Sequence, residues 1–150
     1  MSKEAGPSFQ VPAAHRGVAF GDFNNDGKID AVVVVQNARP ELWMNHSPGG
    51  NHWLILYLEG TRSNRDGLGA RVKITPNVGG PQWNHATAAT GFSTSSDKRV
   101  HFGLGAATKA KVEITWPSGI QQVLMGVKAN QVLTVREEGG GAPLRNGMRR

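Results

Sequence analysis

The chain has 150 residues, with 20 glycines, eight prolines and no cysteine. This length favours one domain, or one domain with a small appendage. The lack of cysteine excludes disulfides, thiolate metal sites and cysteine nucleophiles. The formal net charge is +6, but Arg145, Arg149 and Arg150 lie in residues 139–150, which contain no acidic residue. The rest of the chain is only mildly basic and has no recognisable nucleic-acid-binding motif, so we expect no nucleic-acid partner.

The first fourteen residues predict an irregular lead-in, because they contain neither a periodic apolar pattern nor the apolar centre of a signal peptide. The apolar run AVVVV at 31–35 is too short to span a bilayer. We therefore expect no membrane insertion by this chain. A secreted parent protein would have lost its signal, or this chain would be a piece of a longer protein.

Residues 15–50 are expected to form a β-rich unit that contains a polar loop between two strands. The loop reads DFNNDGKID, residues 22–30, and has a glycine at its sixth position for a sharp turn. Its first, third, fifth and ninth positions carry oxygen-bearing side chains, and the seventh can offer a backbone carbonyl. Ca²⁺ prefers such hard oxygen ligands. The predicted metal ligands are Asp22, Asn24, Asp26, Lys28 and Asp30.

The same spacing occurs in other loops, including the EF-hand and metal-free turns. An EF-hand needs a bidentate Glu at position 12 and a helix on each side, whereas position 12 here is Val33 and both flanks are rich in β-forming residues. The EF-hand is therefore excluded. A hairpin turn that is rich in Asn, Asp and Gly and binds no metal remains open.

Residues 51–138 predict an all-β domain of about seven strands, which favours an antiparallel β-sandwich or jelly-roll-like barrel. Short apolar runs alternate with turns such as Asp66-Gly67 and Pro117-Ser118-Gly119. Residues 139–150, which are rich in glycine, predict a flexible tail. The predicted core contains Leu54, Leu56, Val72, Ile74, Val112, Ile114, Val132 and Val135.

Three strings in the second region resemble the ASPIC/UnbV family: GTRSNRDGLGARV at 60–72, HFGLG at 101–105 and WPSG at 116–119, followed by QVLTVRE. The stretch GVAFGDFNNDGKIDAVVV at 17–34 resembles one FG-GAP/VCBS repeat, the blade of integrin-α-like β-propellers. The resemblance implies an extracellular, cell-surface or periplasmic setting and no catalytic chemistry. A single repeat cannot bury both of its faces alone, so the chain resembles the last blade of a longer protein followed by a separate β domain.

These features predict a non-catalytic, calcium-binding extracellular β module for adhesion, assembly or ligand presentation, and not an enzyme. The alternative is a carbohydrate- or glycan-binding module that uses Trp83, predicted to be exposed, and nearby loops. Arg62, Arg65 and Arg71 form a candidate anion site near Asp66, since guanidinium groups suit carboxylate or phosphate. An Arg–Asp pair with Asp66 that stabilises the loop is the other interpretation.

The partners expected from the sequence are a protein or a glycan, or further copies of the chain in a homo-oligomer or filament. The run at 31–35 is apolar on both faces, and an exposed apolar edge strand is a template for another chain. Folding of this unit onto the sandwich of the same chain is the alternative to self-association.

Overall fold

A computed structural model describes residues 6–139 of the chain. Apart from the 3-10 turn Pro7–Gln10, the regular elements within these residues are all β-strands. The predicted all-β fold class is confirmed. The first five residues of the predicted lead-in, and residues 140–150 of the predicted tail, lie outside the described part. The strands are β1 (His15–Gly21), β2 (Asp30–Val35), β3 (Glu41–Trp43), β4 (His52–Glu59), β5 (Arg71–Pro76), β6 (Gln82–His85), β7 (Val100–Gly105), β8 (Lys109–Thr115), β9 (Gln121–Lys128) and β10 (Gln131–Arg136).

The first three strands form a separate antiparallel sheet in the order β1-β2-β3. The apolar run at 31–35 belongs to β2, which pairs with a strand on each side. The prediction that this run forms an exposed edge strand is therefore wrong. The apolar alternation buries Val33 and Val35 and leaves Val34 45% exposed, because successive side chains of a strand point to opposite faces.

The remaining strands form the two sheets of a β-sandwich, in the orders β10-β4-β7 and β6-β5-β8-β9. All pairs are antiparallel except β10 with β4, which is parallel. Apolar residues at alternate positions of both sheets face one another and form the core. Trp116, 1% exposed, packs in this core, and its indole nitrogen donates to the side-chain oxygen of Gln122 over 2.9 Å.

The predicted core is confirmed at all positions but one. The exception is Val132, which is 39% exposed, whereas Val135 is buried. Two residues three positions apart in a strand must lie on opposite faces, so both could not have entered the same core. Leu133, which is partly buried, packs against the core instead.

The N-terminal sheet lies against the sandwich of the same chain. The segment from Thr94 to Asp97 runs beside β1: the Thr94 hydroxyl donates to the Val18 carbonyl over 2.8 Å, and the Asp97 amide donates to the Phe20 carbonyl over 2.8 Å. The Ser96 hydroxyl accepts a bond from the Phe20 amide. These three hydrogen bonds lie within one chain and fasten β1 to the segment between β6 and β7.

Candidate functional site: the polar loop and the outer sheet face

The loop at residues 22–30 is built around two buried carboxylates. Asp22 and Asp30 are 2% and 1% exposed. The Asp22 carboxylate accepts hydrogen bonds from the backbone amides of Gly27, at 2.8 Å, and Asp26, at 3.1 Å. The Asp30 carboxylate accepts from the amides of Phe23, at 2.9 Å, and Asn45, at 2.8 Å. These bonds wrap the loop backbone around the two acidic side chains.

The outer part of the loop carries Asn24 and Asp26, which are both exposed. The Asn24 side-chain amide donates to one Asp26 carboxylate oxygen over 3.1 Å, and the Lys28 amide donates to the other over 2.9 Å. The hydrogen bond from the Lys28 amide is the main cause that lowers the pKa of Asp26, although desolvation opposes it. The charged form of Asp26 is therefore favoured.

The loop carboxylates do not form a ready-made cluster. Within residues 6–139, no three His, Asp or Glu side chains stand close enough together to hold a metal ion. The donor set nevertheless suits a hard cation: Asp22 and Asp30 are buried, and neither forms an ion pair with a described residue. Each carboxylate accepts two backbone amide bonds, which offset part of the cost of burying its charge. A bound cation would offset more of it.

Arg99, which immediately precedes β7, ties the loop to the sandwich. Its guanidinium donates to the Asp22 carbonyl and to the Asn25 side-chain oxygen, both over 2.6 Å. The same side chain forms an ion pair with Asp97 at 2.5 Å. One arginine thus fixes two points of the loop through backbone and side-chain oxygens, and leaves the Asp22 carboxylate unpaired.

Gly27 is the second contact point between the loop and the sandwich. Its carbonyl oxygen lies 2.8 Å from Nε2 of His101 on β7. A Cβ on Gly27 would lie 2.1 Å from the Trp53 ring, and its φ is +87°. Both the turn and the packing of Trp53 therefore require glycine here.

Glu137 is a residue that the sequence-based reasoning missed. It is 2% exposed and follows β10 directly. One carboxylate oxygen accepts from the backbone amides of Thr61, Arg62 and Ser63, each over 2.8 Å. The other accepts from the hydroxyls of Ser63, at 2.9 Å, and Ser118. This one carboxylate joins the strings GTRSN, WPSG and QVLTVRE. Its position at the end of the last string was the sequence feature that could have indicated its role.

The hydrogen bonds around Glu137 decide its ionisation. Burial raises the pKa of the carboxyl. The hydrogen bonds from the Ser118 hydroxyl and from the amides of Ser63, Arg62 and Thr61 lower the pKa by a larger amount. The net result is a pKa of about 2, against an ordinary value of 4.5. The charged carboxylate is thus a structural acceptor that holds the 60–63 loop in place.

The predicted Arg–Asp pair is wrong, because Asp66 forms its ion pair with Lys98 at 2.5 Å. Lys98 also lies 5.4 Å from the centre of the Tyr57 ring. Arg62 and Arg65 are both exposed, and neither lines the groove beside Trp83. Of the three arginines of the candidate anion site, Arg71 is the one that lines this groove.

Trp83 is 68% exposed, as predicted, and lies on the outer face of the four-stranded sheet. It lines an open groove of about 640 Å³ together with charged and polar side chains of β5, β8 and β9. No helix in residues 6–139 is long and apolar enough to cross a membrane. Trp83 with its groove and the polar loop at residues 22–30 are the two candidate sites within residues 6–139.

Comparison with known proteins identifies the family. Cartilage acidic protein 1 of Mus musculus is 24% identical over 135 residues, covering 87% of this chain and 21% of the relative. The Homo sapiens protein is 25% identical over 135 residues, with 88% and 20% covered. That of Xenopus tropicalis is 27% identical over 106 residues, with 69% and 16% covered. This chain spans about a fifth of the length of these relatives. The family described as ASPIC and UnbV matches residues 60–142, more than half of the sequence, and the chain belongs to that family.

Proposed function

We propose that this chain is a non-catalytic extracellular β module whose N-terminal loop binds calcium. The observation that carries the proposal is the pair of buried loop carboxylates, Asp22 and Asp30, which have no ion-pair partner among the described residues. Family membership and the match to cartilage acidic protein 1 support the setting. The biological task of the module is adhesion, assembly or ligand presentation.

The proposed ligands are the side chains of Asp22, Asn24, Asp26 and Asp30 and the carbonyl of Lys28. Calcium takes six to eight oxygen ligands in flexible geometry, so water would complete the shell. Asp26 and Asn24 bond to each other and to the loop backbone, so binding requires their oxygens to turn from those bonds toward the cation. Both side chains are exposed, and they are free to make this change at little packing cost.

Calcium would act as a structural cross-link in this module. The loop joins β1 to β2 and is tied to the sandwich through Arg99 and His101. Binding would therefore stiffen both the N-terminal sheet and its attachment to the sandwich. We further propose that residues 15–50 are an FG-GAP/VCBS-like repeat, supported by this strand–loop–strand arrangement with its oxygen ligands.

Thermal unfolding in calcium and in EDTA tests the proposal. With three carboxylates and no bidentate Glu, we expect a dissociation constant on the order of 10⁻⁴ M. Calcium at about 2 mM should then stabilise the folded chain by about 2 kcal/mol and raise Tm by about 5 °C. Asp26→Ala should abolish this rise, whereas Asp66→Ala, which removes an acidic side chain outside the loop, should keep it. An equal Tm in calcium and in EDTA would contradict the proposal.

Self-association is the other part of the proposed assembly function. Leu42 of β3 is 57% exposed, so this apolar side chain is the place at which another copy would pack. Light scattering at micromolar concentration is the test, and species larger than the 16.1 kDa chain are the expected result. A single 16.1 kDa species, both with and without calcium, would contradict self-association. The contacts within one chain would then be all that covers the N-terminal sheet.

A further inference from the structure

The outer face of the sheet β6-β5-β8-β9 carries one row of side chains that crosses all four strands. Trp83 pairs with Lys73, Lys73 with Glu113, and Glu113 with Val123. Residues directly opposite one another in antiparallel strands share a face, so these four side chains stand side by side. Trp83 and Val123 are 68% and 52% exposed, and the groove of about 640 Å³ lies over the row.

This face carries more positive than negative charge. The Glu113 carboxylate lies between two lysines, 3.5 Å from Nζ of Lys73 and 2.9 Å from Nζ of Lys111. Arg71, in the neighbouring row, lines the same groove. Two lysines thus flank the one carboxylate, and Arg71 adds a third cation to the same face, which complements an anionic ligand.

The aromatic ring and a cation are neighbours on this face. Nζ of Lys73 lies 5.9 Å from the centre of the Trp83 ring. Gln121 and Thr115 line the groove and provide groups that can exchange hydrogen bonds with hydroxyls. A ligand that combines an apolar ring face, hydroxyl groups and a negative charge matches all three features together.

We propose that this outer face binds an anionic polysaccharide, with one sugar ring stacked on Trp83 and its acidic group beside Lys73 and Arg71. An acidic peptide fits less well. The groove lies across the face of four paired strands, so it offers no row of unpaired backbone groups for a peptide to extend. Sugar rings bind such faces through side chains alone.

The proposed ligand-binding residues of this face, Trp83, Lys73 and Arg71, are not among the proposed calcium ligands, although Asn84 and His85 line both the groove and the cavity beside Asp22. The loop contacts Trp53 and His101, which belong to the sheet β10-β4-β7. The groove lies on the outer face of the sheet β6-β5-β8-β9. The proposal therefore does not depend on calcium. Asp26→Ala, which removes a proposed calcium ligand, should therefore keep the affinity of the unaltered chain for the polysaccharide when both are titrated in EDTA.

Isothermal titration with three hexasaccharides tests the proposal: oligogalacturonate, which carries carboxylates, chondroitin sulfate, which carries carboxylates and sulfates, and neutral maltohexaose. We expect both anionic oligomers to bind at least about tenfold more tightly than the neutral one, corresponding to about 1.4 kcal/mol. Binding should weaken as salt is raised. A preference for chondroitin sulfate over oligogalacturonate would assign the acidic group as a sulfate, and the reverse preference would assign it as a carboxylate.

Variants separate this site from general attraction to a basic protein. Trp83→Ala should weaken anionic binding about tenfold or more, because the stacked ring is lost, and Lys73→Gln should reduce the preference over maltohexaose. Phe92→Ala removes an aromatic ring that is 76% exposed outside the groove and should change nothing. Circular dichroism checks that each variant is folded. Absence of anionic binding in the unaltered chain, or unchanged binding in folded Trp83→Ala, would overturn the proposal.

Discussion

Replacing Glu137 by alanine is expected to lower the free energy of unfolding by about 4 kcal/mol, because buried donors that lose their acceptor cost about 1–3 kcal/mol each. Three backbone amides and two hydroxyls would lose their common acceptor. Urea unfolding at pH 7 measures the change. Glu138→Ala, one position away, is the matched control, because Glu138 is exposed and accepts one side-chain bond, from Gln122 at 3.3 Å.

The same carboxylate predicts how stability depends on pH. Its pKa is lowered from 4.5 to about 2 in the folded chain. A lowered folded-state pKa gives stability that is complete above pH 4.5 and is lost as the pH falls toward 2. The loss amounts to at most about 3 kcal/mol. Glu137→Ala should lack this part of the pH dependence, and an unchanged dependence would show that Glu137 is not the anchor described here.

Replacing Gly67 by alanine is expected to destabilise the sandwich by about 3 kcal/mol, which combines the cost of the left-handed backbone with a steric clash. The φ angle of Gly67 is +62°, and a Cβ would lie 2.7 Å from Cβ of Leu58 and 3.3 Å from the ring of Trp116. Both neighbours belong to the buried core. The new methyl group therefore has no space to occupy unless the core moves.

Gly69 provides the control for this substitution. Its φ is +89°, but the nearest atom to an added Cβ is Cγ of Pro117 at 3.6 Å, an ordinary contact. Gly69→Ala should therefore cost only the backbone term, about 1–2 kcal/mol. Equal destabilisation by the two variants, measured by thermal or urea unfolding, would contradict the packing of the 60–70 loop against Leu58 and Trp116.

Several strands were predictable because apolar residues recur at every second position, although Ile55 on β4 is buried on the opposite face as well. Leu54, Leu56 and Leu58 on β4, and Val72 and Ile74 on β5, fall at every second position and are buried. The strand order was not predictable from alternation, which is the same for parallel and antiparallel neighbours. The parallel pairing of β10 with β4 depends on contacts between residues far apart in the sequence.

The candidate sites were predictable only where the residues are close in the sequence. The oxygen ligands of residues 22–30 are local, so their spacing was informative, and the exposure of Trp83 followed from its polar neighbours. Arg99, His101 and Glu137 act on segments about 75 residues away. Only the fold brings these pairs together, and Lys73 likewise reaches Trp83 and Glu113 through strand pairing.

The most direct test of the central claim is a crystal structure of this chain grown with calcium, with anomalous scattering data collected on the metal. We expect one ion bounded by Asp22, Asn24, Asp26, Asp30 and the Lys28 carbonyl, with oxygen distances of about 2.3–2.6 Å. Arg99 should still contact the Asp22 carbonyl. A loop without an anomalous peak at millimolar calcium, with Asp22 and Asp30 bonded only to backbone amides, would contradict the account.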